Sequence, residues 1–289
     1  MASFAFSGLA LLTLAGLTVI FLVQSLPVWR QEGLGYITGA KWFYRDHIFG
    51  ALPMIYGTVV VAFIALILAA PIGIGAAIFT SEFLPHRLRI AVKITVELLA
   101  GVPSVVYGLI GILLLRNWIY DLFAHFDPLS GDTLLTAGIL LGVMILPTVM
   151  TLADDALRGV PAEQRRAARG LGLNATEAVV SVSLPQARRG LIAAVLLGLG
   201  RALGETIAVY LVVGRQDNNL PKNLFSLRPW LEAGQTLSSK LGGSETNIAY
   251  GGALHWGAMV GLALILMAMV LAVTIAGAWQ RKSKYAQGL

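Results

Sequence analysis

Leu191-Ile-Ala-Ala-Val-Leu-Leu-Gly-Leu-Gly-Arg201-Ala-Leu-Gly-Glu205-Thr-Ile-Ala-Val-Tyr-Leu-Val-Val213 decides the fold class. Its 23 residues hold only two charges. About 20 apolar residues cross a ~30 Å hydrocarbon core as an α-helix, at ~1.5 Å rise per residue. Lipid offers no partner to an unpaired backbone group, so a helix is the expected form. Five more stretches read the same way: Phe4–Leu26, Met54–Ile78, Ile94–Leu115, Leu134–Ala153 and Leu254–Trp279. No stretch shows the alternation of a membrane barrel strand. The expected architecture is all-α, with six transmembrane helices in one domain spanning residues 1–289.

Composition agrees. The 289 residues are 57% hydrophobic and 12% charged, with a mean hydropathy of +0.77. Soluble domains lie near 45–50% apolar and about 25% charged. A soluble globule of this size has too little interior for so much apolar surface, and disordered or fibrous classes fail on the same figures. With no cysteine, disulfides and thiolate chemistry are excluded. Phe4–Leu26 is expected to be retained rather than cleaved. No basic residue precedes it, and it exceeds the roughly 7–15-residue core of a signal peptide.

The positions of the charges set the orientation. Residues 79–93, 154–190 and 280–289 carry twelve Lys or Arg against five Asp or Glu. Residues 27–53, 116–133 and 214–253 carry eight of each. The positive-inside rule makes the first set cytoplasmic, with both termini inside. The net charge of +6 is then a matter of topology and gives no support to nucleic acid binding.

The cytoplasmic segment 154–190 reads as two short helices. Pro161 suits a first turn, Gly170 and Gly172 suit an end, and Asn174 with Glu177 has the spacing of a capping box. The second helix is expected to stop at Pro185. Read functionally, this is a rigid docking element that fits a partner's groove; read plainly, it is a solvated basic loop. The long external segment 214–253, with Trp230 and with Trp256 just beyond it, reads as a surface loop or a contact site.

Charges inside apolar spans cost ~2.5–3.5 kcal/mol on insertion scales and therefore need a reason. Arg201 and Glu205, four residues apart, share one helical face. They form either a self-satisfied ion pair or the polar wall of a substrate path, in which a guanidinium suits carboxylate or phosphate oxygens. Gly200 and Gly204 would admit a neighbouring helix. Pro103 kinks the third span, and Ser104 can satisfy the carbonyl it frees, or Ser104 and Tyr107 line a path. Glu97 sits near the cytoplasmic end of that span. Pro71 and Pro147 are further kinks. No Gly-x-x-x-x-Gly-Lys-Ser/Thr, His-Glu-x-x-His or Gly-x-Ser-x-Gly occurs, and the four histidines have no ligand spacing, so neither ATP hydrolysis nor a metal site is expected here.

Glu163–Gly190 is similar to the cytoplasmic signature loop of binding-protein-dependent ABC importer permeases, through Gly172, Val182, Leu184 and Pro185. Glu97–Gly108 and Leu197–Thr206 resemble, more narrowly, the permeases of phosphate-specific ABC importers, and of their two homologous subunits the C-type. The resemblance covers about residues 50–280. It implies the type I importer permease fold in a bacterial cytoplasmic (inner) membrane. It also implies a homologous second permease, two ATPase subunits that use ATP and Mg, and an external phosphate-binding protein, with no cofactor on this chain. Residues 154–190 would carry the coupling helix, with Arg166, Ala167, Ala168, Arg169, Gly170 and Gly172 facing the ATPase. Arg201, Glu205, Ser104, Tyr107 and Glu97 carry over as translocation-path residues. Arg166 stands where the family's loop usually has Glu, so a contact made by that acid would be changed or absent. Alternatives are another oxyanion, molybdate or sulfate, and less favourably an intramembrane enzyme using Ser104. The histidines lie outside the spans or at their ends, which speaks against that enzyme.

Overall fold

Apolar length and backbone self-satisfaction produce a nearly all-helical chain. The computed structural model describes residues 2–126, 128–221 and 228–282. Among them, six helical runs are long and apolar enough to cross a membrane: Phe6–Glu32, Leu52–Phe83, Ser104–Leu122, Leu134–Arg158, Ala175–Gly204 and Ala253–Gln280.

Helix α1 (Ala2–Glu32) leads to a two-stranded antiparallel hairpin, β1 (Trp42–Phe43) and β2 (Ile48–Phe49), with Trp42 opposite Phe49. α2 (Leu52–Ile78) widens into a π turn over Phe79–Phe83. α3 (His86–Ala100) follows, then α4 (Ser104–Ile110) and α5 (Arg116–Leu122), joined by a π turn over Gly111–Leu115. α6 (Leu134–Arg158), α7 (Ala162–Gly170), α8 (Ala175–Ala178), α9 (Leu184–Gly204), α10 (Ile207–Val212), α11 (Leu237–Leu241) and α12 (Ala253–Lys282) complete the chain.

Three differences from the sequence expectations have local causes. Gly101-Val102-Pro103 ends α3 outright instead of kinking one long helix, so the run able to cross is Ser104–Leu122 and not Ile94–Leu115. Pro103 has no N–H to continue the ladder, and it holds the chain extended at ψ 139°. Pro185 does not stop a helix. It occupies the first turn of α9, and the π turn Val179–Ser183 before it keeps Ala175–Gly204 continuous. A wider turn removes the clash that its ring would make with a preceding carbonyl. The apolar stretch 191–213 is itself broken, between Gly204 and Ile207. Pro71 and Pro147 lie within uninterrupted helices.

The centre of the molecule is the α2–α6 pair, whose buried Ile64, Ala65, Leu141, Ile145 and Val149 share one cluster with Ala208 and Val212 of α10. A second cluster unites α1, the hairpin and α12 through Val28, Tyr36, Trp42, Phe49 and Met259, with the Tyr36 hydroxyl donating to the Ala258 carbonyl at 2.6 Å. A third, at the basic end, joins Ala77, Met150, Leu157 and Leu191. Much of α1 remains exposed, as a lipid-facing helix requires.

α2 and α6 approach closely because Gly138 lacks a side chain. A Cβ there would lie 2.6 Å from Ile64 Cβ. Gly138→Ala is expected to lower stability by about 1–3 kcal/mol through overpacking. Thermal unfolding in detergent checks this against Gly75→Ala, where a Cβ meets nothing within 4 Å. Equal midpoints for the two variants would refute the close-packing account.

Candidate functional site

Two broken helices meet at one arginine. The last four carbonyls of a helix lack partners within it, and those of α3 find theirs around the Gly101–Pro103 break. The Leu99 carbonyl accepts from the Val102 N–H at 3.2 Å and from the Tyr107 hydroxyl at 2.9 Å. The Ala100 carbonyl accepts from Arg201 Nη2 at 3.2 Å. Arg201 Nη1 also donates to Thr148 Oγ1 at 2.5 Å. Arg201 therefore ties α9 to the C-terminus of α3 and to α6. A helix C-terminus carries partial negative charge and stabilises a cation placed there.

The ion-pair reading of Arg201 and Glu205 does not hold. α9 ends at Gly204, and Glu205 has extended backbone with ψ 125°, so the two no longer share a helical face. Glu205 Oε1 instead accepts from the Ala208 N–H at 3.2 Å, at the start of α10. The Glu205 carbonyl accepts from Ser238 Oγ at 2.8 Å. Arg201 is exposed and Glu205 half-buried. The breaks are neighbours, since α4 packs on α10: a Cβ on Gly108 would lie 3.2 Å from Ala208 Cα. Gly200 does admit a neighbour, Thr274 of α12, 3.1 Å from where its Cβ would be, but Gly204 faces nothing within 4 Å.

The other candidate residues scatter. Tyr107 is at the break and secures a freed carbonyl, the task expected of Ser104. Ser104 starts α4 and is half-buried. Glu97 lies exposed on α3, before the break. Thr148 went unnoticed in the sequence because a threonine beside a proline carries no signal of its own. Discontinuous helices whose ends present backbone groups to a shared point are a device of transporter sites.

At the basic end, the capping box forms. Asn174 Oδ1 accepts from the Glu177 N–H at 2.9 Å, and the Asn174 N–H donates to Glu177 Oε2 at 2.8 Å. Gly172, at φ +91°, closes α7 with the Leu173 N–H on the Ala168 carbonyl at 3.2 Å and the Gly172 N–H on the Arg169 carbonyl at 3.0 Å. Arg166, Ala167, Arg169, Gly170 and Gly172 are exposed, whereas Ala168 is buried against its own chain. Leu171, at the tip, is 83% exposed.

Away from the basic end, Lys240 is buried between Asp217 Oδ2 and Glu245 Oε2, each 2.5 Å from its Nζ. Glu245 Oε1 also accepts from Trp42 Nε1 at 2.7 Å and lies 2.9 Å from His255 Nε2. Burial pushes the Asp217 carboxyl up, against the pull of Lys240. Burial also acts upward on Glu245, but hydrogen bonding and charge from Lys240, with Trp42 and His255, outweigh it and hold the carboxyl below its usual range. Sequence reading left segment 214–253 as a loop because these partners come from four separate stretches.

The "Phosphate transport system permease protein PstC 1" of Mycobacterium tuberculosis is 34% identical to this chain over 308 residues, covering 96% of this chain and 90% of that protein. PstC of Mesorhizobium japonicum is 33% identical, covering 92% and 83%, and PstC of Pasteurella multocida 35% identical, covering 76% and 74%. Among solved structures, the inward-facing MetNI methionine ABC transporter superposes with a TM-score of 0.53 at 19% identity, covering 81% of this chain and 94% of that one. An amino acid ABC transporter gives 0.51 at 15% identity, covering 83% and 95%. These two likenesses concern the fold, that of type I ABC importer permeases. The family model for binding-protein-dependent transport system inner membrane components matches residues 69–284. With six helices among the described residues long and apolar enough to cross a membrane, and with this family match, the chain belongs to that family as a multi-pass transport permease subunit.

Proposed function

We propose that this chain carries inorganic phosphate across the bacterial inner membrane as one permease subunit of an ATP-driven importer. The observation that carries the reading is Arg201, held where α3 and α9 end together, in a chain 33–35% identical to phosphate permeases over most of its length. Of the five N–H donors of a guanidinium, two are used by Thr148 and Ala100 among the described residues. The rest can take an oxyanion, as planar forks do. The cation is positioned before the anion arrives, so the anion meets a compensating charge inside an apolar layer.

The remaining assignments follow from this reading. The partners are a homologous second permease, two ATPases that use ATP and Mg, and an external phosphate-binding protein. Arg201, Glu205, Ser104, Tyr107 and Glu97 face the path in one of its states. The exposed residues of α7, with Gly172 and Leu171, meet an ATPase groove. The basic ends and both termini are cytoplasmic. ATP-driven closure of the ATPases rocks the two permeases between inward-open and outward-open states.

The test is radiolabelled phosphate uptake in phosphate-starved cells lacking this chain and any redundant importer, with and without its restoration, and with sulfate and molybdate as competitors. Restored uptake that the competitors do not reduce is expected. No dependence of phosphate uptake on the chain would remove phosphate as cargo.

A further inference from the structure

The helix assigned to docking is fastened to the membrane helices by a buried charge pair. Arg165 of α7 places Nη1 3.1 Å from Glu82 Oε1, and the side chains are 21% and 6% exposed. Its Nη2 also donates to the Leu157 carbonyl of α6. Glu82 lies in the π turn that ends α2. That turn is held to α3 by Arg89, which donates to the carbonyls of Thr80 at 2.8 Å, Ser81 at 2.5 Å and Leu84 at 3.3 Å. α3 has 15 residues and is thus about 22 Å long. Its far end is Ala100, whose carbonyl holds Arg201. Contacts therefore run without a gap from α7 through Glu82, the π turn, Arg89 and α3 to Arg201.

We infer that Glu82 and Arg165 are the positioning pair that passes displacement of α7 to α3 and so to the Arg201 site. The inference rests on the reading of α7 as the ATPase-docking helix. Glu82 is buried, so parting the pair leaves its charge uncompensated and resists separation. A solvated pair would yield to each displacement instead of transmitting it. Contacts transmit only if breaking them uncouples the ends, and that defines the experiment.

The assembled importer, with its binding protein, is placed in proteoliposomes, and radiolabelled phosphate uptake and ATP hydrolysis are measured together. Glu82→Gln and Arg165→Gln are each expected to keep the ATPase bound and hydrolysing within about 2-fold of the parent, while phosphate moved per ATP falls about 10-fold. The exchange Glu82→Arg with Arg165→Glu is expected to restore at least half of that ratio. An unchanged ratio in the single variants overturns the proposal. Leu171→Asp separates the underlying reading: it is expected to release the ATPase during purification, and retention of the ATPase would overturn α7 as the docking helix.

Discussion

Arg201→Ala is expected to abolish phosphate uptake while the permease stays assembled with its ATPase. The side chain is exposed in the chain, and its two protein partners among the described residues are the Thr148 hydroxyl and the Ala100 carbonyl. Both can be solvated from the path when the guanidinium goes, so little of the core is disturbed. The anion, in contrast, loses the compensating charge at the break. Removing one preorganised donor to an oxyanion costs on the order of 100-fold in rate in enclosed sites, and a loss of at least that scale is expected here. Arg201→Lys keeps the charge without the planar fork and is expected to fall between the two. Uptake in cells and copurification of the ATPase are the paired measurements. Loss of assembly would make Arg201 a strut between α3, α6 and α9. Unchanged uptake would remove it from the path.

Lys240→Met is expected to destabilise the protein by about 3–5 kcal/mol at neutral pH, the cost of leaving buried charge uncompensated. Lys240 is 2% exposed, bridges Asp217 and Glu245 and lies over the Trp42 ring, 5.2 Å from its centroid. Without it, two partly buried carboxylates face each other with no cation between them. The pH dependence of Glu245's contribution should then change sign. In the parent, Glu245 lies below the usual carboxylate range. Its contribution to stability is present above the unfolded value and is lost as pH falls through the lowered one. Asp217, raised by burial, works the other way: its penalty is present at high pH and is relieved as pH falls through its raised value. In Lys240→Met both carboxyls are pushed up by burial and mutual repulsion, so acidification from neutrality should raise its unfolding midpoint. Thermal unfolding in detergent at neutral and mildly acidic pH reads both effects. A variant within about 1 kcal/mol of the parent would put Lys240 among surface pairs of little worth.

Some features of this protein could be read from the chain alone, because each is decided by neighbours in sequence. The membrane class follows from apolar length in segments such as 54–78 and 134–153. The proposed orientation rests on Lys and Arg counts alone. The Asn174–Glu177 capping box and the Gly172 helix stop form as expected because their partners lie within five residues. The two membrane-embedded motifs, around Pro103 and Arg201, were also visible as unusual.

How they are built was decided by tertiary structure. Whether Gly101–Pro103 kinks or ends a helix depends on who satisfies the freed carbonyls, and one of those groups, Arg201, lies 101 residues away. The spacing of Arg201 and Glu205 suggested a pair only on the premise of an unbroken helix; the Gly204–Ile207 break removed that premise. Glu82 with Arg165, and Lys240 with Asp217, are charges drawn from distant stretches, and Trp42 and His255 reach Glu245 from outside its segment. A sequence shows how many such charges exist. Burial and pairing decide which of them are held, because the energy of a charge in a poorly polarisable interior depends on the few groups within about 4 Å of it, and the fold alone brings those together.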